Sequence, residues 1–334
     1  MNRIDPFDYL ACPICLNSIT RKKHELFCSS CNIFYSQLHG SSYSFLNEKL
    51  YSQRDFDAIK TIEKFWGSGW DKRLGEDDHS HFSKNDEEFK KYYHSRKKRP
   101  KFPSFGGLLD NEIHYDEFKG KVGINVGSGP GDEAAMLSYI GNSLCIPIDL
   151  TSAAVVCAHK TLHRLNCVSD IAIQADARFL PIKSNSLDYY YSSGVLHHSP
   201  DIKKSIEEAY RVLKPGGVAY IALYGKDNPV FLILKLKAFL KGKFSKENIG
   251  EFINANSETA WITDYDKKNP KTDLFSKSEC ERLLDQFSRV IVRKSGFRWN
   301  QIPKVGKFID KVRPKSFPPG IAGLGGSNYI TATK

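Results

Sequence analysis

A short glycine-rich stretch, K-V-G-I-N-V-G-S-G-P-G at residues 121–131, constrains the fold of this chain more than any other part of the sequence. Apolar β-branched residues alternate along its first half, and a helix-forming segment that starts with two acids, D-E-A-A-M-L-S-Y-I, follows it. A buried strand, a tight turn and a helix are therefore expected in this order. Because glycine has no Cβ, a ligand can lie against the bare backbone of such a turn. The stretch predicts an α/β fold with a ligand site at this turn.

The sequence beyond this stretch predicts more strands and helices in alternation. Strands are expected near 122–126, 144–148, 171–174, 187–192 and 217–223, with helices near 132–140, 152–165 and 201–213. A helix near 276–287 and two strands near 289–296 and 328–333 complete the pattern. Such alternation predicts a parallel sheet with helices on both faces, and ligands bind these sheets at the carboxyl ends of the strands.

Acidic residues end the second and third predicted strands. Asp149 ends L-C-I-P-I-D-L, where a carboxylate can accept hydrogen bonds from both hydroxyls of a ribose. Asp176 lies in I-A-I-Q-A-D-A-R-F-L-P, and S-L-D-Y-Y-Y-S-S-G-V-L-H-H and R-V-L-K-P-G-G-V-A-Y-I-A-L follow. In this order the five blocks resemble the class I S-adenosylmethionine-dependent methyltransferases of the type 11 group, strongly over 105–225 and weakly over 275–334. The resemblance implies a Rossmann-like seven-stranded sheet with helices on both faces.

The resemblance also implies a site for S-adenosylmethionine. The glycine loop matches the part that faces the methionine end of the cofactor, Asp149 matches the ribose acceptor, and Asp176 with Ala177 matches the adenine contact. The cofactor residues it implies are Asn125, Gly127, Ser128, Gly129, Gly131, Asp149, Leu150, Asp176, Ala177 and Ser192. Asn125 stands where the family usually has an acid. An amide brings no negative charge, so we expect a weaker contact with the cofactor's ammonium group.

The loop after the fourth predicted strand, S-S-G-V-L-H-H-S-P at 192–200, lies where the methyl acceptor is expected. His197 or His198 could take the proton of an attacking hydroxyl, because imidazole titrates near neutral pH. A structural histidine that fixes the loop is at least as good an interpretation. Enzymes that methylate the exocyclic amines of bases have an Asn or Asp followed by prolines here. Ser193 and Gly194 therefore argue against that chemistry.

Two C-x-x-C pairs lie close together near the N-terminus. Cys12 and Cys15, with Cys28 and Cys31, predict one structural Zn²⁺ with all four positions filled by thiolates. About 40 residues bury too little apolar surface to fold without such a metal. The segment resembles the zinc ribbon of a small protein that activates several RNA and protein methyltransferases. That resemblance implies recognition or support rather than chemistry.

We expect three regions in the chain. They are a zinc ribbon at 1–48, a helical linker and cover at 49–120, and a methyltransferase domain at 121–334 with insertions at 225–275 and 300–325. In the linker, Trp66 and Trp70 could cover the cofactor, although packing of the linker against the core is the preferred interpretation. The apolar and lysine-rich segment 228–244 predicts a wall of the acceptor pocket or a peripheral membrane contact. Packing against the domain is again preferred there.

The net charge of +11 is unevenly distributed along the chain. Residues 121–225 hold nine basic and nine acidic side chains, whereas the segments 84–101, 226–250 and 290–315 hold eight against three, six against two and eight against one. An anionic acceptor, RNA or an acidic lipid surface would be attracted to these segments. No apolar run approaches the length of a transmembrane helix and no targeting segment is evident, so a cytoplasmic protein is expected.

Together these features predict an S-adenosylmethionine-dependent methyltransferase acting on a small-molecule, lipid-linked or sugar-linked acceptor that is anionic, most simply at oxygen. An RNA methyltransferase acting on rRNA or tRNA is the alternative, because the ribbon and the basic segments suit a nucleic acid. A second alternative is a non-catalytic protein that binds the cofactor and activates a partner, because Asn125 departs from the family pattern.

Overall fold

The computed structural model of this 334-residue chain describes residues 5–75, 85–97, 114–243, 245–256, 270–295, 297–298, 308, 311–312, 320–321 and 326–334. One mixed sheet of eleven strands runs through the described residues, and a separate pair of short strands lies beside it. None of the described helices is long and apolar enough to cross a membrane.

The strands are numbered along the chain. They are β1 (Thr20–Lys22), β2 (Glu25–Cys28), β3 (Ile33–His39), β4 (Ser42–Ser44), β5 (Val122–Val126), β6 (Leu144–Asp149), β7 (Ala172–Gln174), β8 (Leu187–Ser193), β9 (Leu213–Tyr224), β10 (Arg289–Lys294), β11 (Phe297–Arg298), β12 (Gly320–Ile321) and β13 (Ser327–Thr333). The order in the large sheet is β1-β2-β3-β4-β7-β6-β5-β8-β9-β13-β10. Strands β5 to β9 are mutually parallel, and β13 is antiparallel to both of its neighbours.

The helices lie between these strands, close to the predicted positions. They are α1 (Gln53–Gly75), α2 (Asp86–Lys97), α3 (Asp132–Ala135), α4 (Ser152–Arg164), α5 (Ile202–Val212), α6 (Pro229–Leu240), α7 (Lys246–Asn256) and α8 (Lys277–Leu283). Helix α3 continues into one π-helical turn, Met136–Ile140, so the predicted helix at 132–140 is only partly an α-helix. The helix predicted near 276–287 ends at Leu283, after which Leu284 and Phe287 turn into the core.

The sheet has eleven strands, four more than the seven predicted for the α/β part. The four extra strands come from the cysteine-rich segment, whose last strand, β4, lies parallel to β7. Without β4, the backbone N–H and C=O groups on one side of β7 would have no strand partner in the sheet. The pairing joins residues about 130 positions apart through only three residues of β4, which leave no periodic signal in the sequence.

The cysteine-rich segment and the sheet also share one hydrophobic core. Phe45 and Tyr43 are 1% and 2% exposed and belong to the same cluster of buried side chains as Ile173. Backbone hydrogen bonds add to this contact, because Ala11 N–H donates to the Pro181 carbonyl at 3.0 Å. The segment is therefore continuous with the α/β part in both its sheet and its core. The predicted boundary near residue 48, like the other boundaries, remains a prediction.

The carboxyl ends of the parallel strands meet along one side of the sheet. Strand β5 ends at Val126 and leads through the glycine loop into α3, while β6 ends at Asp149 and leads into α4. Strand β7 ends at Gln174, two residues before Asp176, and β9 ends at Tyr224. This arrangement brings residues that are about 100 positions apart in sequence to one place.

We predict that the cysteine-rich segment and the sheet unfold together. Replacing Phe45 with Ala should lower the free energy of unfolding by about 3–5 kcal/mol, because it leaves a cavity in the shared core. Chemical denaturation followed by tryptophan fluorescence and by circular dichroism should show one coincident transition.

Phe34→Ala is the matched control, because Phe34 lies in β3 of the same segment but is 49% exposed. Phe34→Ala should lower the free energy of unfolding by less than about 1 kcal/mol. Two separate transitions, or equal losses for the two variants, would contradict a shared core.

Candidate active site

A cavity of about 520 Å³ lies at the carboxyl ends of the parallel strands. Its walls come from the glycine loop, from the ends of β6 to β9, and from α1. Four carboxylates line it, and the described lining contains no Lys or Arg side chain. The acidic residues are Asp132, Glu133, Asp149 and Asp176. The carboxylate of Asp176 is neutralised by Arg178 at 2.8 Å, so the cavity favours a ligand that bears positive charge near the other acids.

The glycine loop forms the floor of this cavity, and two of its glycines have conformations that require glycine. Gly127 and Gly129 have φ of +72° and +51°. A Cβ on Gly129 would lie 2.8 Å from the Trp70 ring, and one on Gly127 would lie 2.2 Å from Val195. Ser128 also lines the cavity. The bare backbone of the loop thus lines the cavity beneath the indole ring of Trp70.

Gly131 has a different role from the other loop glycines. It does not line the cavity, and it precedes α3 with φ of +90°. A Cβ there would lie 2.8 Å from the Cα of Ala158 on α4. Gly131 therefore allows close packing of α3 against α4.

Asp149 connects the ends of β5 and β6. Its carboxylate accepts hydrogen bonds from the N–H of Gly129 at 2.9 Å, the N–H of Thr151 at 2.9 Å and the hydroxyl of Thr151 at 2.8 Å. Burial raises the pKa of Asp149, although these three donors oppose the rise. The backbone N–H of Leu150 acts on the same carboxylate. A carboxylate oxygen can accept from more than one donor, so Asp149 can still accept from a ligand hydroxyl. Leu150, the next residue, also lines the cavity.

Asp176 lines the cavity in an ion pair. The guanidinium of Arg178 donates to its carboxylate at 2.8 Å, and both side chains are 5% exposed. The hydroxyl of Tyr51 donates to the same carboxylate at 3.3 Å. Because its orientation is fixed from two sides, Asp176 together with Ala177 forms a rigid wall. Arg178 and Tyr51 were not among the residues predicted from the sequence. Arg178 lies only two residues after Asp176, whereas no spacing in the sequence connects Tyr51 with it.

Helix α1 closes one side of the cavity. Ile59, Ile62, Trp66 and Trp70 all line it, spaced three, four and four residues apart on one face of the helix. Trp66 also lies beside His198, with ring centroids 4.9 Å apart. The structure thus places both tryptophans in the cavity wall, and Trp70 also packs against the glycine loop at Gly129. The periodic spacing could have identified Ile59 and Ile62.

The two candidate histidines have different environments, and only His198 lines the cavity. Its Nδ1 lies 2.7 Å from the Lys271 carbonyl oxygen. A carbonyl can only accept, so Nδ1 bears the hydrogen and Nε2 keeps its lone pair. Within the described part of the chain, Nε2 has no hydrogen-bond partner. Burial lowers the pKa of His198 to about 4, so the ring is neutral at neutral pH.

His197 lies behind this position, outside the cavity lining. It is fully buried, and its ring stacks on Tyr224 with centroids 3.9 Å apart. Burial lowers its pKa well below the ordinary value for histidine. Tyr224 itself lines the cavity. We therefore infer that His197 supports the position of Tyr224.

Asn125 and Ser192 are both fully buried and lie outside the cavity lining. Their polar side-chain atoms have no partner among the residues that the structure describes. The acids at the start of α3, Asp132 and Glu133, line the cavity instead. The sequence analysis assigned these two acids only to the helix start. Negative charge is thus present beside the loop even though Asn125 supplies none.

A second candidate site lies in the cysteine-rich segment. The sulfur atoms of Cys12, Cys15, Cys28 and Cys31 lie within 4.8 Å of one another. Two of the separations are 3.8 Å, for Cys12 and Cys31, and 3.5 Å, for Cys15 and Cys28. Ligands at about 2.3 Å from a tetrahedral Zn²⁺ lie about 3.8 Å apart, so this donor set fits zinc. The arrangement leaves no ligand position for water, and it lies outside the cavity.

Comparison with known proteins gives one family and several relatives. Residues 124–221 match the family described as a methyltransferase domain, Methyltransf_11. The ubiquinone/menaquinone biosynthesis C-methyltransferase of Rickettsia bellii is 30% identical over 180 residues, which are 52% of this chain and 67% of that protein. Phosphoethanolamine N-methyltransferase 2 of Caenorhabditis elegans is 32% identical over 223 residues, 64% and 46% of the two chains.

One of the similar solved structures is phosphoethanolamine N-methyltransferase 2 of Haemonchus contortus with phosphomonomethylethanolamine and S-adenosylhomocysteine. The match covers 68% of this chain and 55% of that one, with 16% sequence identity and a TM-score of 0.46.

We predict that the purified protein contains about one zinc ion per chain. Elemental analysis by mass spectrometry should detect it, and Cys28→Ser should lose it because three thiolates bind the ion less tightly than four. Cys157→Ser is the control, since it makes the same chemical change at a buried thiol outside the cluster. A metal-free protein of unchanged stability would refute the site.

Proposed function

The chain belongs to the class I S-adenosylmethionine-dependent methyltransferases. We propose that it methylates a hydroxyl oxygen of a small or lipid-linked acceptor that lies beside His198. S-adenosylmethionine supplies the transferred methyl group on a positively charged sulfur. The non-catalytic alternative is set aside, because the relatives that place the chain in this family are enzymes.

The cavity suits this cofactor in shape and in charge. The bare backbone of Gly127 and Gly129 would hold the methionine part, and the carboxylate of Asp149 would hold the ribose. Leu150 and Ala177 provide apolar contact for a base. The acids in the lining other than Asp176 favour a cofactor with both a sulfonium and an ammonium group. Burial of the site under Trp66 and Trp70 keeps water from competing for these interactions.

The part of the cavity around His198, where we place the methyl acceptor, favours a partly apolar molecule. Beside His198, its lining includes Ile62, Leu196, Pro200 and Tyr224. The described lining contains no cationic side chain, so an anionic acceptor would have to place its charge outside this part of the cavity. The relatives are named as carbon and nitrogen methyltransferases, and one as a methyltransferase of a phytyl hydroquinone. The choice of oxygen therefore rests on His198 rather than on them.

One observation supports methylation at oxygen, namely the lone pair on Nε2 of His198. The Lys271 carbonyl fixes the tautomer, and burial keeps the ring neutral. Nε2 is itself covered by protein atoms in this structure. Once Trp66, whose ring lies beside that of His198, moves aside, a hydroxyl can donate its hydrogen to Nε2 and thereby orient its oxygen for attack. As the new carbon–oxygen bond forms, the hydroxyl proton becomes strongly acidic. A base with a pKa of about 4 is then sufficient to take it.

RNA methylation has weaker support. It rested on the cysteine-rich segment and on the basic segment 84–101. The cysteine-rich segment is part of the large sheet, and of the basic segment, residues 84 and 98–101 lie outside the described residues.

We predict that Gly129→Ala weakens cofactor binding by more than about tenfold. A methyl group there would meet the Trp70 ring and occupy the space above the loop. Calorimetric titration with S-adenosylmethionine would measure the change.

Gly216→Ala is the matched control. Gly216 has φ of +78°, so alanine costs similar backbone strain, about 1 kcal/mol, but its Cβ would meet no atom within 4 Å. Equal affinity in Gly129→Ala and Gly216→Ala would place the cofactor elsewhere.

We predict that labelled methyl groups enter the small-molecule or lipid fraction of a cell extract, as ethers. His198→Asn should lower this incorporation by about 10²–10⁴-fold, because the amide nitrogen can replace the Nδ1 donor but nothing replaces Nε2. The wild-type rate should fall as the pH decreases through about 4, where the ring becomes protonated. An unperturbed histidine would give that fall near pH 6.5.

His163→Asn provides the control for this substitution, because the His163 side chain is 74% exposed and lies outside the cavity. Its rate should equal the wild-type rate. Label in RNA, label on carbon or nitrogen, or a fully active His198→Asn enzyme that still binds cofactor would each refute the proposal.

A further inference from the structure

Helix α6 is apolar on two opposite faces. Its inner face packs against α7, where Phe231, Leu234 and Ile253 form a buried cluster. Its outer face presents large apolar side chains to solvent. We call Leu232, Leu236 and Leu240, which are 50%, 59% and 75% exposed, the outer stripe. A surface helix of a protein that only packs on its own domain has one apolar face, so the outer stripe needs another explanation.

The geometry of the helix separates the two faces. At about 100° per residue, the outer stripe covers an arc of about 80°, and the buried side chains are centred roughly 190° away from its middle. Phe239, which is 56% exposed, lies about 20° beyond one edge of the stripe. The outer stripe is therefore a continuous apolar surface along about two turns of helix, and it makes no part of the described hydrophobic clusters.

Basic side chains border this surface on both sides. Lys235 and Lys237 each lie about 60° beyond one edge of the outer stripe. Lys241 and Lys243 follow the end of the helix, and no acidic residue occurs between Asn228 and Ser245. Long lysine side chains can extend their ammonium groups away from an apolar contact toward anionic groups. An apolar stripe between lysines is complementary to an anionic lipid surface.

The inner face of α6, opposite the outer stripe, lies close to the proposed acceptor site. Helix α6 follows β9 after a short turn, and the Phe231 ring lies 5.5 Å from the ring of Tyr224. Tyr224 lines the cavity. Helix α6 therefore contacts the cavity wall directly, through Phe231 on its inner face.

We propose that α6 docks this protein on an anionic membrane surface. The outer stripe would enter the boundary between headgroups and acyl chains, and Lys235 and Lys237 would contact lipid phosphates. At 12 residues, α6 is too short to span a bilayer, so the contact is peripheral. The docking itself depends only on this surface. Its use in delivering a lipid-linked acceptor to the cavity rests on the proposed function.

Vesicle sedimentation tests the docking. The wild-type protein should bind vesicles of phosphatidylcholine that contain about a third phosphatidylglycerol. Its affinity for vesicles of pure phosphatidylcholine should be lower by more than about tenfold. Added salt should weaken binding through screening of the lysines. Leu236→Glu should reduce binding to the anionic vesicles by more than about tenfold, because it places a carboxylate in the middle of the outer stripe.

Val168→Glu is the matched control, because Val168 is 50% exposed in the turn after α4 and receives the same charge on another surface. It should bind vesicles as the wild type does. Titration with S-adenosylmethionine verifies that Leu236→Glu is folded. Equal vesicle binding by Leu236→Glu and the wild type, or equal binding to neutral and anionic vesicles, would overturn the proposal.

A wild-type dimer in solution that Leu236→Glu dissociates would also overturn it, by assigning the stripe to a second copy of the chain. These outcomes are independent of methyl transfer. If the protein binds anionic vesicles but no label enters the lipid fraction, the membrane-docking proposal is supported and the lipid-linked acceptor is refuted.

Discussion

The carboxylate of Asp149 is the interaction on which the rest of the active site depends. It receives hydrogen bonds from Gly129, in the loop after β5, and from Thr151, at the start of α4. These bonds connect two neighbouring strand ends and determine how far the glycine loop lies from the tip of β6. The position of the loop in turn determines the space under Trp70. A single buried acid thus sets both the shape of the floor and part of the charge of the cavity.

The α/β part of the fold could be predicted because its signals are local. The parallel strands are short, mostly apolar runs, and each is followed by a polar or glycine-rich turn at the ligand side. Val122 to Val126 and Leu144 to Asp149 were predicted almost to the residue. The pairing of β4 with β7 could not be predicted in this way, because three residues have no period and their partner lies far along the chain.

The site shows the same division between local and distant signals. Asp149 and the loop glycines follow predicted strands, so their meeting place follows from the topology of a parallel sheet. Which histidine of the adjacent pair lies at the cavity depends on a contact with Lys271, about 70 residues away. The role of α1 as a wall of the cavity likewise depends on where this amphipathic helix packs on the rest of the protein. Its periodic face could be recognised from the sequence, but its target could not.

The position of β4 also affects whether copies of this protein associate through the edges of their sheets. By occupying one side of β7, the cysteine-rich segment moves the boundary of the sheet to β1, whose three residues, Thr20, Arg21 and Lys22, are all exposed. At the other boundary, β10 begins with Arg289 and ends with Arg293 and Lys294. Charged terminal strands repel their counterparts and resist strand-to-strand aggregation. Part of the basic character that suggested a nucleic-acid partner therefore also serves colloidal stability.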